Sequence, residues 1–146
     1  CSNNSLFNMH LATQGCKEVL APFKNTVIGA NQDLMDRHLQ KIMGQCAGIL
    51  RNGRQLNRGL AELKTLREDL FLKGPSNHEK RWWTLTFENK LTVAEMILKS
   101  DLNREESRGA HYRDDFSHLN DENFLANIVV RSINEQMQFT MESIIS

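Results

Sequence analysis

The 146-residue sequence is poor in the features that announce many functions. Only two prolines interrupt it, so long helices are permitted. No apolar run approaches the roughly 18 residues of a membrane span, so no direct membrane insertion is expected. Eighteen Lys and Arg against eighteen Asp and Glu give zero formal net charge. The broad basic field of a nucleic-acid binder is therefore missing, and no nucleic-acid partner is expected. The three cysteines, Cys1, Cys16 and Cys46, lack C-x-x-C spacing. That is the usage of a reducing compartment, with free buried thiols instead of a disulfide frame, and it points to the cytoplasm. The eight glycines, at 15, 29, 44, 48, 53, 59, 74 and 109, never form G-x-G. Neither a dinucleotide fingerprint nor a P-loop is present. The opening Cys1-Ser2-Asn3-Asn4 has no initiating Met, basic n-region or apolar signal core. We read it as the start of an excised domain, with a processed mature N-terminus as the alternative.

What is present is helical periodicity. A 40% apolar share argues against disorder, and the length suits one domain with a sizeable core. A short helix is expected from about Leu6 to Phe23, closed by Pro22. Asn31 or Asp33 can cap a second helix whose stripe is Met35, Leu39, Ile42, Cys46 and Ile49. Arg51-Asn52-Gly53 reads as a turn in which Gly or Asn takes positive φ at a helix end. A third helix carries Leu56, Leu60, Leu63, Leu66 and Leu70 and stops at Gly74-Pro75. Ser76 or Asn77 can cap a fourth, running through Trp83, Phe87, Leu91, Ala94 and Leu98 towards Gly109. Asp121 to Ala126 suits a short helical turn. Ile128–Arg131 and Met137–Thr140 then read as a hairpin turning at Asn134. The expected fold is mainly α: an antiparallel three-helix bundle with a short C-terminal β-hairpin.

Few residues suggest chemistry. His111, His118, Asp114 and Asp115 are the densest set of possible metal ligands, but no tight ligand spacing such as H-E-x-x-H occurs, and no metal is expected. Cys46, on an apolar seam, reads as a core thiol. Trp82 and Trp83 suit core or interdomain packing, or the face of a stand-alone helical interaction module. The stretch Arg104 to Phe116 is the most particular. On a helix, Arg104 and Arg108 lie one turn apart, and Gly109 can end that helix at positive φ. Arg108, His111 and Arg113 can then pin the following loop through charge-assisted bonds.

Within that stretch, Glu106-Ser107-Arg108-Gly109-Ala110-His111-Tyr112-Arg113-Asp114-Asp115-Phe116 resembles the E-S-R-G-A-H-x-R-x-D-F/Y string of the succinate dehydrogenase/fumarate reductase flavoprotein family. Leu39-Gln40-Lys41-Ile42-Met43 with Gly48-Ile49-Leu50-Arg51 is similar to its L-Q-x-x-M…G-(I/V)-x-R helix. Asp121-Glu122-Asn123-Phe124-Leu125 resembles its D-D-x-N-(F/W)-L segment, and Asn89 followed by Ala94-Glu95-Met96-Ile97 fits the helix before the string. L-aspartate oxidase and adenylylsulfate reductase are relatives. The string is the most specific part. Ser117, Leu119-Asn120 and Gly44 depart from the family pattern and suggest a divergent branch.

The resemblance implies a spectrin-like helical C-terminal domain, residues 31–146, packed on the FAD-binding and capping domains of the same flavoprotein. Residues 1–30 are then an N-terminal helix and linker, the tail of the FAD-binding domain. Asn4-Ser5-Leu6 is similar to the N-S-L of that domain's last helix, which makes the Ser5 and Leu6 amides candidate flavin neighbours. The parent is implied to be an FAD-dependent oxidoreductase acting on fumarate, succinate or L-aspartate. The resemblance also implies an iron-sulfur subunit as a partner and a place at the inner face of a membrane through other subunits. No catalytic residue carries over, so this chain alone is expected to be inactive. Arg104, Glu106, Arg108, Gly109, His111, Arg113 and Asp115 are the expected structural and interdomain residues.

Overall fold

A computed structural model of the chain describes residues 31–73, 78–134 and 136–144. The element order is α1 (Gln32–Cys46), β1 (Leu50–Arg51), α2 (Gly53–Lys73), α3 (His78–Asn103), β2 (Tyr112–Arg113), α4 (Asp121–Phe124), β3 (Ala126–Ile133) and β4 (Gln136–Ser143). The chain is mainly helical, with an antiparallel β-pair at its C-terminal end. The expected helix from Leu6 to Phe23, Ser5, the Gly74-Pro75 stop and the Ser76/Asn77 caps lie outside the described residues.

Each long helix contributes one stripe to a single core. In α1 the Asn31 side-chain oxygen accepts from the Leu34 N–H at 3.1 Å, so Asn31, not Asp33, is the cap. Met35, Leu39, Ile42 and Cys46 are buried as the periodicity predicts. Ile49 is 84% exposed, because α1 ends at Cys46 and the chain turns into β1. In α2, Asn52 is the cap, its side-chain oxygen accepting from the Gln55 N–H at 2.9 Å. Gly53 is the first helical residue and has no positive φ; among the described residues only Gly109 and Asn134 do. Leu56, Leu63, Leu66 and Leu70 are buried and Leu60 partly so.

On α3, Phe87, Leu91, Ala94 and Leu98 complete the core. The tryptophans part company. Trp83 stacks on Phe87 with centroids 4.9 Å apart and its indole N–H donates to the Asp36 carboxylate at 3.2 Å. Trp82 is 66% exposed. They do not form one aromatic face.

Polar struts join the helices outside the core. The Arg67 guanidinium on α2 reaches Glu88 at 2.8 Å and Glu95 at 2.7 Å on α3. Burial raises the Glu88 pKa in spite of Arg67. Burial also acts on Glu95, but Lys99 and Arg67 outweigh it and lower its pKa. Lys90 donates to Asp36 at 2.6 Å. Such half-exposed pairs contribute little stability each, so the apolar stripes dominate.

In the hairpin, Ile128 opposes Met141 and Val130 opposes Phe139, and Asn134 takes the positive φ of the turn (51°). Alternation places these four residues and Met137 on one face.

Gly59 marks the tightest helix contact. A Cβ there would lie 2.9 Å from the Cys46 Cβ and 3.0 Å from the Leu98 Cδ1, closer than carbon atoms pack. Alanine favours an isolated helix by about 1 kcal/mol over glycine, yet overpacking costs roughly 1–3 kcal/mol. Gly59→Ala is therefore expected to lower the urea midpoint with an unchanged m-value; a raised midpoint would show that α1 and α3 separate freely.

Candidate functional site

Helix α3 ends at Asn103 and does not continue to Gly109, so Arg104 and Arg108 do not share a helical face. The reason lies ten residues on. The last carbonyls of a helix lack intrahelical donors and carry its negative dipole end. Arg113 Nη1 donates to the carbonyls of Asp101 at 2.8 Å and of Leu102 and Arg104 at 3.3 Å. Nε and Nη2 of the same guanidinium make a two-pronged pair with Asp115 at 2.7 and 2.8 Å. Arg113 is 2% exposed and lies over the Phe116 ring, 4.9 Å from its centroid.

Asp115 continues the chain of contacts, its Oδ2 accepting the Gly53 N–H at 2.7 Å at the start of α2. Arg113 first, and then the Gly53 amide, outweigh burial and hold the Asp115 pKa at about 2. A short parallel pairing sets this register: Leu50 beside Tyr112 and Arg51 beside Arg113. The Asp114 N–H donates to the Arg51 carbonyl at 2.9 Å, and the Asn52 amide reaches Asp114 Oδ2 at 3.3 Å.

Glu106 is the buried anion, at 0% exposure. It accepts from Arg104 Nη1 at 2.6 Å, from Arg108 Nε and Nη2 at 2.8 and 3.0 Å, and from the Asn120 N–H at 2.9 Å. The Arg108 bonds above all, against the opposing effect of burial, bring its pKa from 4.5 down to about 2. Arg108 also pairs with Asp121, and its own pKa is raised by Glu106 and Asp121. Arg104 donates further to the carbonyls of Phe124 at 3.0 Å and Ala126 at 2.6 Å, tying α4 and β3 to the end of α3. Arg108 and His111 exchange backbone hydrogen bonds at 2.8 and 3.0 Å. Gly109, at φ 57°, therefore serves this tight turn and not a helix end.

His111 sits inside the cluster. Its Nε2 is 3.2 Å from the Arg104 carbonyl, which only accepts, so that nitrogen carries a proton. Its Nδ1 lies between Arg51 Nη1 at 3.0 Å, a donor, and Asp101 Oδ1 at 3.1 Å, an acceptor. Arg51 Nη1 also reaches Asp101 Oδ1 at 3.2 Å. Asp101 Oδ2 is buried with no hydrogen-bond partner among the described residues. His118 and Asp114 are exposed. Among the described residues no group of three or more His, Cys, Asp or Glu could hold a metal ion.

The structure thus brings Arg104, Glu106, Arg108, His111, Arg113 and Asp115 into one cluster. It adds Asp101 and the expected turn residues Arg51, Asn52 and Gly53, none of which the sequence reading assigned to this site. Arg51, Asn52 and Gly53 carried a turn signal but none for this cluster, since Arg51 and Asp101 are partners 60 and 10 residues from His111. The cluster fixes charge in place and does not suit proton transfer, because its carboxylates face guanidinium groups.

The family described as "Fumarate reductase flavoprotein C-term" matches residues 36–145. The fumarate reductase flavoprotein subunit of Mycobacterium tuberculosis H37Rv is 38% identical over 97 residues, covering 63% of this chain and 17% of that protein. L-aspartate oxidase of Synechocystis is 35% identical over 94 residues, covering 51% of the chain and 17% of that protein. The chain thus spans 17% of the length of these curated relatives. A solved structure of E. coli quinol fumarate reductase FrdA superposes with a TM-score of 0.80 at 21% identity, covering 97% of this chain and 26% of that one. Mycobacterium smegmatis Sdh1 gives 0.76 at 23%, covering 92% and 24%. At these identities the structures show a shared fold.

Two measurements test the cluster. Arg113→Ala is expected to cost about 3 kcal/mol, the low end for breaking a buried pair because Asp115 stays a third exposed. Arg113→Lys restores little, since an ammonium has no fork for Asp115 plus the carbonyls; full recovery of melting temperature by lysine contradicts this geometry. The pH dependence follows from Glu106 and Asp115, both held at about 2. A depressed folded-state pKa gives stability present above the ordinary values of 4.5 and 3.8 and lost as pH falls towards 2. Melting temperature should fall across that window, and Glu106→Gln should start lower at neutral pH and fall less.

Proposed function

The chain belongs to the fumarate reductase/succinate dehydrogenase flavoprotein family, as its C-terminal domain, and from that premise we propose that it serves as the packing domain of an FAD-dependent oxidoreductase acting on a C4-dicarboxylate: fumarate, succinate or L-aspartate. The observation that carries this reading is the family match across residues 36–145. Its three long helices are read as an antiparallel, spectrin-like bundle. Contacts between Arg67 and Glu88, and among Gly59, Cys46 and Leu98, support that arrangement.

The described residues do not themselves fit a flavin. The cluster's charges are paired internally, and the α2 N-terminus is taken by Asn52 and Asp115. Flavin contacts within this chain are assigned to the backbone amides of Ser5 and Leu6, which lie outside the described residues. Residues 1–30 are read as the tail of the FAD-binding domain and 31–146 as the helical domain. In the whole protein the chemistry that FAD would supply is hydride exchange. This chain supplies no catalytic residue. Its role is to hold the end of α3 rigid beneath the FAD-binding and capping domains, with Arg108, a third exposed, on the outer side of the cluster.

Relatives are named as subunits, which supports partner chains, and we assign an iron-sulfur subunit as one of them. Among the described residues no helix is long and apolar enough to cross a membrane. Placement in the cytoplasm, at the inner face of a membrane through other subunits, is part of the proposal. The reading as a stand-alone interaction module loses its aromatic face, since Trp83 is packed on Phe87.

The native protein, isolated with an antibody against this domain, should have a mass several times 16.8 kDa with a flavin spectrum in the same peak. A colourless species near 16.8 kDa overturns the proposal. In the whole protein, Arg108→Ala should lower both melting temperature and flavin retention, and no change in either removes the cluster from the interdomain role.

A further inference from the structure

A groove of about 440 Å³ runs between α1 and α3, walled by Leu39, Met43, Val93, Ala94 and Ile97. Helix α3 carries two stripes. Phe87, Leu91, Ala94 and Leu98 turn to the core, while Thr86, Lys90, Val93 and Ile97, at intervals of four, three and four, line the groove. Val93 and Ile97 are 54% and 42% exposed. Single exposed apolar side chains are ordinary, but these two share one concave wall, and the described residues leave it open to water.

Charge decides what kind of occupant fits. On the side of α3 that meets α2, Glu88 and Glu95 are held by Arg67. On the groove side the charged lining residue is Lys90, and Asp36 neutralises it at 2.6 Å. The groove thus offers no net charge. An acidic or basic peptide finds no counter-ion there, whereas apolar side chains gain by leaving water. Asn89 also lines the groove, and its amide can hydrogen-bond an occupant's backbone.

The lining also bears on where the occupant comes from. Leu39, Met43, Asn89, Ala94 and Ile97 are among the positions that carry the resemblance to the flavoprotein family. Burial in this domain's own core accounts for Leu39 and Ala94. It does not account for Asn89 and Ile97, which are exposed, or for Met43, which is half-buried. A family pattern that runs out onto an open groove suits an occupant that the relatives have in common. One of those relatives is named as a subunit and another is not, and this chain spans 17% of either. The shared occupant is therefore another part of the same polypeptide and not a second chain. In the proposed function the FAD-binding domain is the one joined to α1, which forms one wall of the groove.

We infer that the α1–α3 groove is the seat of the FAD-binding domain of the same polypeptide, which lays an apolar segment against Met43, Val93 and Ile97. The inference rests on the proposed function and deepens it by naming the face and the residues in contact. Its test is read in whole protein already shown to hold flavin, so the two readings fail separately.

The first measurement is photo-crosslinking in the whole flavin-containing protein with Val93→p-benzoylphenylalanine. Irradiation should join position 93 to a peptide of the FAD-binding domain within one chain, as mapped by mass spectrometry. A crosslink to the capping domain, to another subunit or to a second copy gives the groove to a different occupant and overturns the inference. So does the absence of any crosslink. A second measurement uses the unmodified whole protein and is free of any folding defect of that variant. Hydroxyl-radical oxidation of the Val93 and Ile97 side chains should be about tenfold slower in the native than in the denatured protein, because interface cores exclude water. Native oxidation within about twofold of the denatured rate leaves the groove in water and overturns the inference.

Discussion

The end of this domain depends on one guanidinium. Arg113 is almost wholly removed from water, a position that costs several kcal/mol unless its donors are matched. They are matched by two different sources of negative charge. Asp115 takes two N–H groups, and the carbonyl end of α3 takes the rest. Asp115 in turn accepts the first amide of α2, where the helix dipole is positive. One ion pair therefore joins the negative end of one helix to the positive end of another. Each partner is placed in a field that favours its charge, which is why Asp115 stays ionised to about pH 2.

Glu106 mirrors Arg113 with the opposite sign. Its two oxygens receive donors from two arginines and one backbone amide. Buried ion pairs are not in themselves a strong source of stability, because desolvation offsets most of the attraction. What they impose is a single arrangement. A shift of β2 against β1, or of Asn120 away from Glu106, leaves a buried charge short of partners, at a cost of about 3–5 kcal/mol. The apolar stripes alone tolerate small rotations of one helix on another. The cluster does not, and it fixes how α3, the start of α2 and the root of the hairpin meet.

That division also explains what could be read from the sequence. The stripes on α1, α2 and α3 were legible because helical periodicity is a local signal, and Met35, Leu70 and Leu98 fall where spacing puts them. The helix ends were not. Ile49 continues the apolar spacing of α1, yet the chain has left the helix for a strand pairing with residues more than 60 positions away. Gly109 has the chemistry of a helix stop, yet α3 has already ended at Asn103 under Arg113. Both errors arise where a distant partner overrides local preference. The string from Glu106 to Phe116 stood out as particular, while Asp101 left no mark and Arg51, legible as part of a turn, gave no sign of its contacts with His111 and Asp101.

The hairpin follows from the same contrast. A two-stranded sheet is marginal alone in water, and only half-buried apolar residues lie along β3 and β4. Its root is held instead by Arg104, through the carbonyls of Phe124 and Ala126, with Glu106 fixing the guanidinium. The long helices are held by apolar burial, which does not titrate. Protonating Glu106 therefore loosens the anchor of α4 and the hairpin while the Leu and Phe core keeps its contacts. The tie of this end rests on a charged carboxylate, and the helical body is set apart from it by the nature of the forces and not by distance.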